Sequence, residues 1–334
     1  MRTRLLTVIC QLVLVSSSSV LAQPAGDSWV DRSPHKQLRV NVNGISLEYL
    51  DWGGNGPTLV FLAGLGNTAH IFDDIAPKLT DHFHVLGLTR RGYGNSDKPA
   101  TGYDAATLVD DLHQFLDAMK IDRVILVGHS FAGLEMTGFA ERFPERVNRL
   151  VYLDCAYRFD EPGTLELLGQ IDSLTPSPTA ADRASFAALL RWFENDRPGW
   201  NSACEADLRN TRLVTADGLS GHGSTPDAIE QALVQVAITS HADCTKLNVP
   251  ILAFFADHRL DRLASADTDD AKRKQVDAIT QSARTWWRSQ IERFKREAKH
   301  GQVVELPDTD HFCFIQRQDE VVRQMQGFLS KTEN

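Results

Sequence analysis

The segment Val124-Ile125-Leu126-Val127-Gly128-His129-Ser130-Phe131-Ala132-Gly133 constrains this chain more than any other. Four consecutive aliphatic residues with no polar alternation read as a strand buried on both faces, the signature of a parallel sheet covered by helices. The residues from Phe131 to Arg142 follow with a helical pattern, so strand and helix must join through a sharp turn at Ser130. Such a turn tolerates only small neighbours, here Gly128, Ala132 and Gly133. It forces the central residue into a strained backbone conformation and lifts its side chain clear of the sheet. Ser130 is therefore expected to stand at the C-terminal edge of a sheet, beside the N-terminus of the next helix.

The rest of the chain repeats this theme. Leu38 to Val42 and Ile45 to Asp51 alternate around Asn43-Gly44 and read as an antiparallel hairpin. Thr58 to Leu62, His84 to Leu88 and Leu150 to Leu153 are short apolar runs, with helical stretches such as Ala105 to Met119 between them. Strands alternating with helices predict an α/β fold, a mostly parallel, doubly wound sheet with its binding residues at the strand C-terminal ends. From Tyr157 to Cys244 the strand signal stops, and Pro162, Pro176, Pro178, Pro198 and Pro226 punctuate a helical and loop-like segment. Strand character returns in Ile251 to Phe255 and Gln302 to Leu306. An interruption between two parts of one sheet pattern reads as an inserted helical cap, residues 157–244, in a core formed by 23–156 and 245–334. Between the last two strands, Asp267 to His300 is expected to be one long helix with Trp286, Ile291 and Phe294 on its apolar stripe.

Residues 1–22 differ from the remainder: Arg2 and Arg4 precede the apolar run Leu5 to Val15, a serine tract and Val20-Leu21-Ala22. This is the pattern of a signal peptide cleaved after Ala22, which predicts a secreted or periplasmic protein. No later stretch is long and apolar enough to span a bilayer. The net charge of −9, more negative still without Arg2 and Arg4, speaks against nucleic acid as a partner. Export would permit disulfides among Cys155, Cys204, Cys244 and Cys313. Cys204 with Cys244 is the favoured pair because both fall in the cap, and no CxxC spacing points to a metal.

A nucleophilic serine needs a base, and the base needs an acid to orient it. His311 lies in Pro307-Asp308-Thr309-Asp310-His311-Phe312, just after the last strand, where a base can reach the turn at Ser130. Two acids compete, Asp154 after Leu150 to Leu153 and Asp257 after Ile251 to Phe255. Asp154 is preferred because it follows its strand without a gap. The oxyanion of acyl transfer requires fixed N–H donors, assigned here to Phe131 and to Leu65 in Ala63-Gly64-Leu65-Gly66-Asn67. That glycine-rich loop lacks both the Lys-Ser/Thr ending of a P-loop and dinucleotide-binding spacing, so no nucleotide cofactor is expected, and no metal.

Arg90-Arg91-Gly92-Tyr93-Gly94-Asn95-Ser96-Asp97-Lys98-Pro99, the turn Gly128 to Gly133 and Phe143-Pro144-Glu145-Arg146-Val147 together resemble the α/β-hydrolase superfamily. The resemblance is to the branch holding esterases, epoxide hydrolases, haloalkane dehalogenases and cofactor-free haloperoxidases. It implies a capped α/β hydrolase with the triad Ser130, His311 and either Asp154 or Asp257. Beside Ala132 in place of the second elbow glycine, three departures matter: serine in place of the aspartate that dehalogenases and epoxide hydrolases use, Ala63-Gly64 in place of His-Gly, and an acid that follows either the sixth strand, as Asp154, or the seventh, as Asp257. The expected activity is hydrolysis of a small ester or lactone through an acyl-enzyme. Two alternatives keep the same fold: a proline-iminopeptidase-like peptidase and a non-catalytic small-molecule receptor. Trp192, Phe193 and Trp200 of the cap would line an acyl pocket or form the cap's own core.

Overall fold

Asn43 and Gly44 both adopt left-handed backbone, φ 48° and 72°, the pair a tight two-residue hairpin turn requires. They join β1 (Lys36–Val42) to β2 (Ile45–Gly53), with Val42 opposite Ile45. The computed structural model describes residues 29–214, 220–223, 225–241, 243–258, 260–263 and 269–331. The expected leader, residues 1–22, lies outside them.

After the hairpin come β3 (Thr58–Leu62), β4 (His84–Leu88), α1 (Ala105–Ala118), β5 (Val124–His129), α2 (Ala132–Arg142) and β6 (Val147–Leu153). The excursion between β6 and the next sheet strand holds α3 (Thr164–Leu174), α4 (Phe186–Asp196), α5 (Ser202–Thr211), the ribbon β7 (Arg212–Val214) and β8 (Ser220–Gly223), and α6 (Asp227–Thr239). The chain then returns through β9 (Ile251–Ala256), α7 (Asp270–Glu297), β10 (Gly301–Leu306), α8 (Cys313–Gln316) and α9 (Gln318–Leu329). The eight-stranded sheet runs β1-β2-β4-β3-β5-β6-β9-β10. The first two pairings are antiparallel and the rest parallel, the mostly parallel sheet the sequence predicts.

Alternate strand residues feed two separate cores, as a period of two demands. Val60, Leu126, Tyr152 and Phe255 pack on one face with α1, α2 and α7. Phe61, Val127, Leu153 and Phe254 pack on the other with Phe72, Phe314 and Phe328. This doubly wound arrangement sets the ends of β5, β6, β9 and β10 side by side, and each strand end delivers one residue to the same place.

Two expectations need adjustment and one open alternative closes. The Cys204–Cys244 disulfide is not formed: all four described cysteines are buried free thiols. Cys204 belongs to one core and Cys244 to the other, so the sheet stands between them. Trp192, Phe193 and Trp200 form the cap's own core: Phe193 packs with Phe186, Leu189 and Leu208, and Trp200 stacks on Phe193 at 6.1 Å. On α7 the stripe is shifted by one tryptophan, with Trp287 buried beside Ile291 and Phe294. Trp286 is half-buried and stacks at 5.5 Å on Tyr157.

Candidate active site

Ser130 closes β5 with φ 55°, a left-handed conformation that costs a non-glycine residue roughly 1–2 kcal/mol and persists only where packing enforces it. The enforcing contacts are tight. A Cβ on Gly133 would lie 2.2 Å from the Cys155 carbonyl oxygen, so α2 can approach β6 only as glycine allows. A Cβ on Gly64 would lie 2.9 Å from Ser130 Cβ. The loop after β3 therefore presses directly on the serine.

That loop carries Leu65, and its carbonyls are held from behind. The Arg90 guanidinium donates to Ala63 O at 2.7 Å and Gly64 O at 3.3 Å. It also makes two 2.6 Å bonds to the Glu135 carboxylate on α2 and lies 4.7 Å over the Phe131 ring. Leu65 and Phe131 are buried in one small apolar cluster beside Ser130. The two expected oxyanion residues thus flank the serine on elements that one buried ion pair ties together.

The acid and base come from the neighbouring strand ends. Asp154 follows β6 with φ 51° and is fully buried. Its Oδ2 lies 2.7 Å from His311 Nδ1, on the loop after β10. Asp257 does not share this contact: it is exposed and lines a surface groove with Arg284 and Arg288. The His311 backbone is pinned by His129, whose Nε2–H donates to His311 O at 2.9 Å.

Asp154 holds more than His311. His258 Nε2 is 2.9 Å from the same Oδ2, while Oδ1 accepts from Ala256 N–H at 2.9 Å and from the Tyr157 hydroxyl. Burial, the largest influence on this carboxyl, favours its neutral form. The charge and hydrogen bond of His258, with those of His311, outweigh burial and hold Asp154 well below the usual carboxylate range. Burial pushes the Tyr157 hydroxyl well up, with Asp154 adding to it. Burial likewise drives His129 well down, which keeps this imidazole neutral behind His311.

Ser130, Asp154, His258 and His311 line one cavity of about 100 Å³. Its other walls are apolar, chiefly Phe131, Leu134, Phe159, Leu168, Trp286 and Trp287. Neither His258 nor Arg90 emerges from sequence reasoning. The signal for His258 was its place two residues beyond a strand end, beside the competing Asp257; Arg90 was visible only as part of a motif.

Among the described residues two groups of side chains come close enough to share an ion, Asp154/His258/His311 and Asp31/His35/His70/Asp73. In the second group Asp73 Oδ1 accepts from Ser33 Oγ, His35 Nδ1 and Trp52 Nε1, and Oδ2 from His70 Nδ1 at 2.9 Å. Hydrogen bonding accounts for all four contacts to that carboxylate. The cluster fastens the segment before β1 to the turn after β3.

Comparison with known proteins places these features in a family. Residues 57–318 match the model of the alpha/beta hydrolase fold. The 2-(acetamidomethylene)succinate hydrolase of Mesorhizobium japonicum is 31% identical over 133 residues, 40% of this chain and 45% of that protein. The chain thus aligns with less than half the length of that relative. The cis-3-alkyl-4-alkyloxetan-2-one decarboxylase of Shewanella oneidensis is 24% identical over 318 residues, 90% of each chain. The crystal structure of E-2-(acetamidomethylene)succinate hydrolase superposes with a TM-score of 0.68 at 20% identity, covering 89% of this chain and all of that one. With its sheet order, its strained turn between β5 and α2 and the match over residues 57–318, the chain belongs to the α/β-hydrolase fold family.

Proposed function

We propose that this protein is a serine hydrolase that cleaves a small carboxylic ester or lactone through an acyl-enzyme, and that it works outside the cytoplasm after loss of residues 1–22. The observation that carries the reading is the convergence of Ser130, His311 and Asp154 on one apolar cavity, with His311 Nδ1 at 2.7 Å from Asp154.

The chemistry follows from these positions. The Nδ1–H of His311 faces a carboxylate, so the neutral imidazole keeps its lone pair on Nε2, free to take the Ser130 hydroxyl proton. Ser130 Oγ then adds to the carbonyl carbon, and the Leu65 and Phe131 N–H groups hold the oxygen as it gains charge. Collapse breaks the bond to the leaving oxygen, which receives the proton from His311. Water activated by the same imidazole then hydrolyses the acyl-enzyme. In a lactone, the leaving oxygen stays tethered to the acyl group.

Serine at the elbow argues against the alkyl-enzyme chemistry of dehalogenases and epoxide hydrolases, which use a carboxylate there. The apolar walls supported by Trp286, Trp287 and Leu168 favour a hydrophobic acyl group. The oxetan-2-one in the name of the Shewanella oneidensis relative is a small strained lactone, in keeping with that size.

The test is intact-mass analysis after treatment with a fluorophosphonate, in wild type and Ser130→Ala. A single adduct that maps to Ser130 and is absent from the variant supports the reading. A folded, unlabelled wild-type protein would move the non-catalytic receptor to the front. Aminoacyl amides assayed beside esters separate the peptidase.

A further inference from the structure

The assignment above uses one imidazole on Asp154, but the structure puts two there. His311 Nδ1 and His258 Nε2 approach the same oxygen, at 2.7 and 2.9 Å. A carboxylate offers about four acceptor sites. His311, His258, Ala256 N–H and the Tyr157 hydroxyl occupy them all. His258 is itself held rigidly: its ring lies flat on Trp287 of α7, 4.2 Å away and 11° from parallel, and its backbone is left-handed at φ 42°. A histidine takes that backbone only where surrounding packing offsets the strain. Its Nε2 faces Asp154 and also lies 3.4 Å from the Tyr157 hydroxyl, and Nδ1 has no partner among the described residues, in a side chain that lines the cavity.

We propose that His258 is a positioning residue of this active centre, which shares the Asp154 oxygen with His311 and thereby sets both the aim and the basicity of the general base. The proposal rests on the reading of Ser130, His311 and Asp154 as a triad. A second N–H on Oδ2 draws on the same lone pairs that stabilise the His311 imidazolium, so the carboxylate is a weaker partner for it. The two rings lie 6.0 Å apart.

The other titratable groups around the pair are Tyr157 beside Asp154, His129 and Asp310 beside His311, and the buried Cys155 and Cys313. Arg197 of the cap acts on His129 and lies 4.1 Å over Phe312. Arg284 and Arg288 of α7 line the groove that Asp257 and Trp287 share. None of these touches the shared Oδ2.

The experiment is the pH dependence of the second-order rate at which a fluorophosphonate labels Ser130, in wild type, His258→Phe and His258→Gln. Phenylalanine keeps the stacking on Trp287 but removes the N–H, whereas glutamine restores an N–H donor. Because only the N–H shared on Oδ2 distinguishes the variants, the acid limb of the labelling profile is expected to move up in His258→Phe and to return toward wild type in His258→Gln. Should His258→Phe not fold, His258→Leu takes its place in the same comparison. A folded variant whose limb does not move, or equal rate losses in both variants with no shift, would overturn the proposal and leave His258 a packing residue. Labelled wild-type Ser130 with an unmoved limb sinks only this inference. An unlabelled wild-type protein sinks the triad reading and this inference with it.

Discussion

Replacing Asp154 by asparagine leaves shape almost unchanged and inverts one hydrogen-bonding group, which makes the consequence calculable. The carboxylate now accepts from two imidazole N–H groups on Oδ2 and from Ala256 N–H and the Tyr157 hydroxyl on Oδ1. Asparagine must turn its NH2 toward one of these pairs. Ala256 N–H cannot become an acceptor, so the amide oxygen stays there and the NH2 faces the two histidines. His311 then has to accept at Nδ1 and carry its proton on Nε2, the tautomer that cannot take a proton from Ser130. The analogous exchange in a well-studied serine protease lowers kcat about 10⁴-fold. The same order of loss is expected here for hydrolysis of p-nitrophenyl butyrate, with a similar loss in the rate of fluorophosphonate labelling. Asp257→Asn is the control: its side chain is exposed and off the site, so kcat should stay within about twofold, as surface substitutions rarely matter. A folded Asp154→Asn protein with more than a tenth of wild-type kcat, or an equal loss in Asp257→Asn, would refute the reasoning.

The cluster before β1 predicts a pH dependence of stability. Burial, the largest influence on His70, disfavours its charge, but hydrogen bonds to Asp31 and Asp73 outweigh this and raise it from 6.5 to about 10. A raised histidine stabilises fully below its unfolded value and less as pH climbs through the folded one. Stability against urea should therefore fall between pH 7 and about 10 by up to ~1.4 kcal/mol per pH unit, and His70→Gln should flatten that slope; an equal slope in the variant would count against it. Asp73 has the opposite sign: burial raises it, but His35 and His70 lower it from 3.8 to about 2, so its contribution is lost as pH falls from near 4 toward 2. The free thiols give a further test: reductant should leave Tm unchanged, whereas a native disulfide worth ~2–4 kcal/mol would show as a drop of roughly 4–16 °C.

Most of the fold was legible because buried strands announce themselves by composition. β3 and β4 match their apolar runs end to end, and α1 ends one residue before the predicted Met119. The stripe on α7 was read one tryptophan out because Trp286 and Trp287 are adjacent and both partly apolar in setting; only the helix phase, fixed by Val276, Ile279 and Ala283, distinguishes them. The choice between Asp154 and Asp257 was harder for a geometric reason. β6 and β9 are neighbours in the sheet, and Asp154 N–H donates to Phe254 O at 3.0 Å, so the two strands end at the same edge. Periodicity locates a strand end but not the direction in which the next side chain leaves it. Here the left-handed turn at Asp154 sends its carboxylate to His311, and β10 draws Asp257 N–H to Leu306 O. The disulfide expectation failed for a related reason: membership of one sequence segment says nothing about which face of the sheet a residue reaches.

The departures from the family pattern make more sense together than singly. With Ala63 where histidine is usual, the Ala63-Gly64 end of the loop after β3 has no polar side chain of its own, while Asn67 and Thr68 at its far end bond Asp207. Arg90 anchors the first of these ends from behind, holding the carbonyls of Ala63 and Gly64. A peptide whose C=O is held to one side presents the following N–H to the other, so fixing the Gly64 carbonyl fixes the direction of the Leu65 N–H. The guanidinium is in turn fixed by Glu135 on α2, the helix that begins just after Phe131. A single buried ion pair therefore sets the relative position of the two proposed oxyanion donors. Burying such a pair adds little net stability. What it confers is geometry, and a site that must hold two N–H groups against one developing charge requires geometry first.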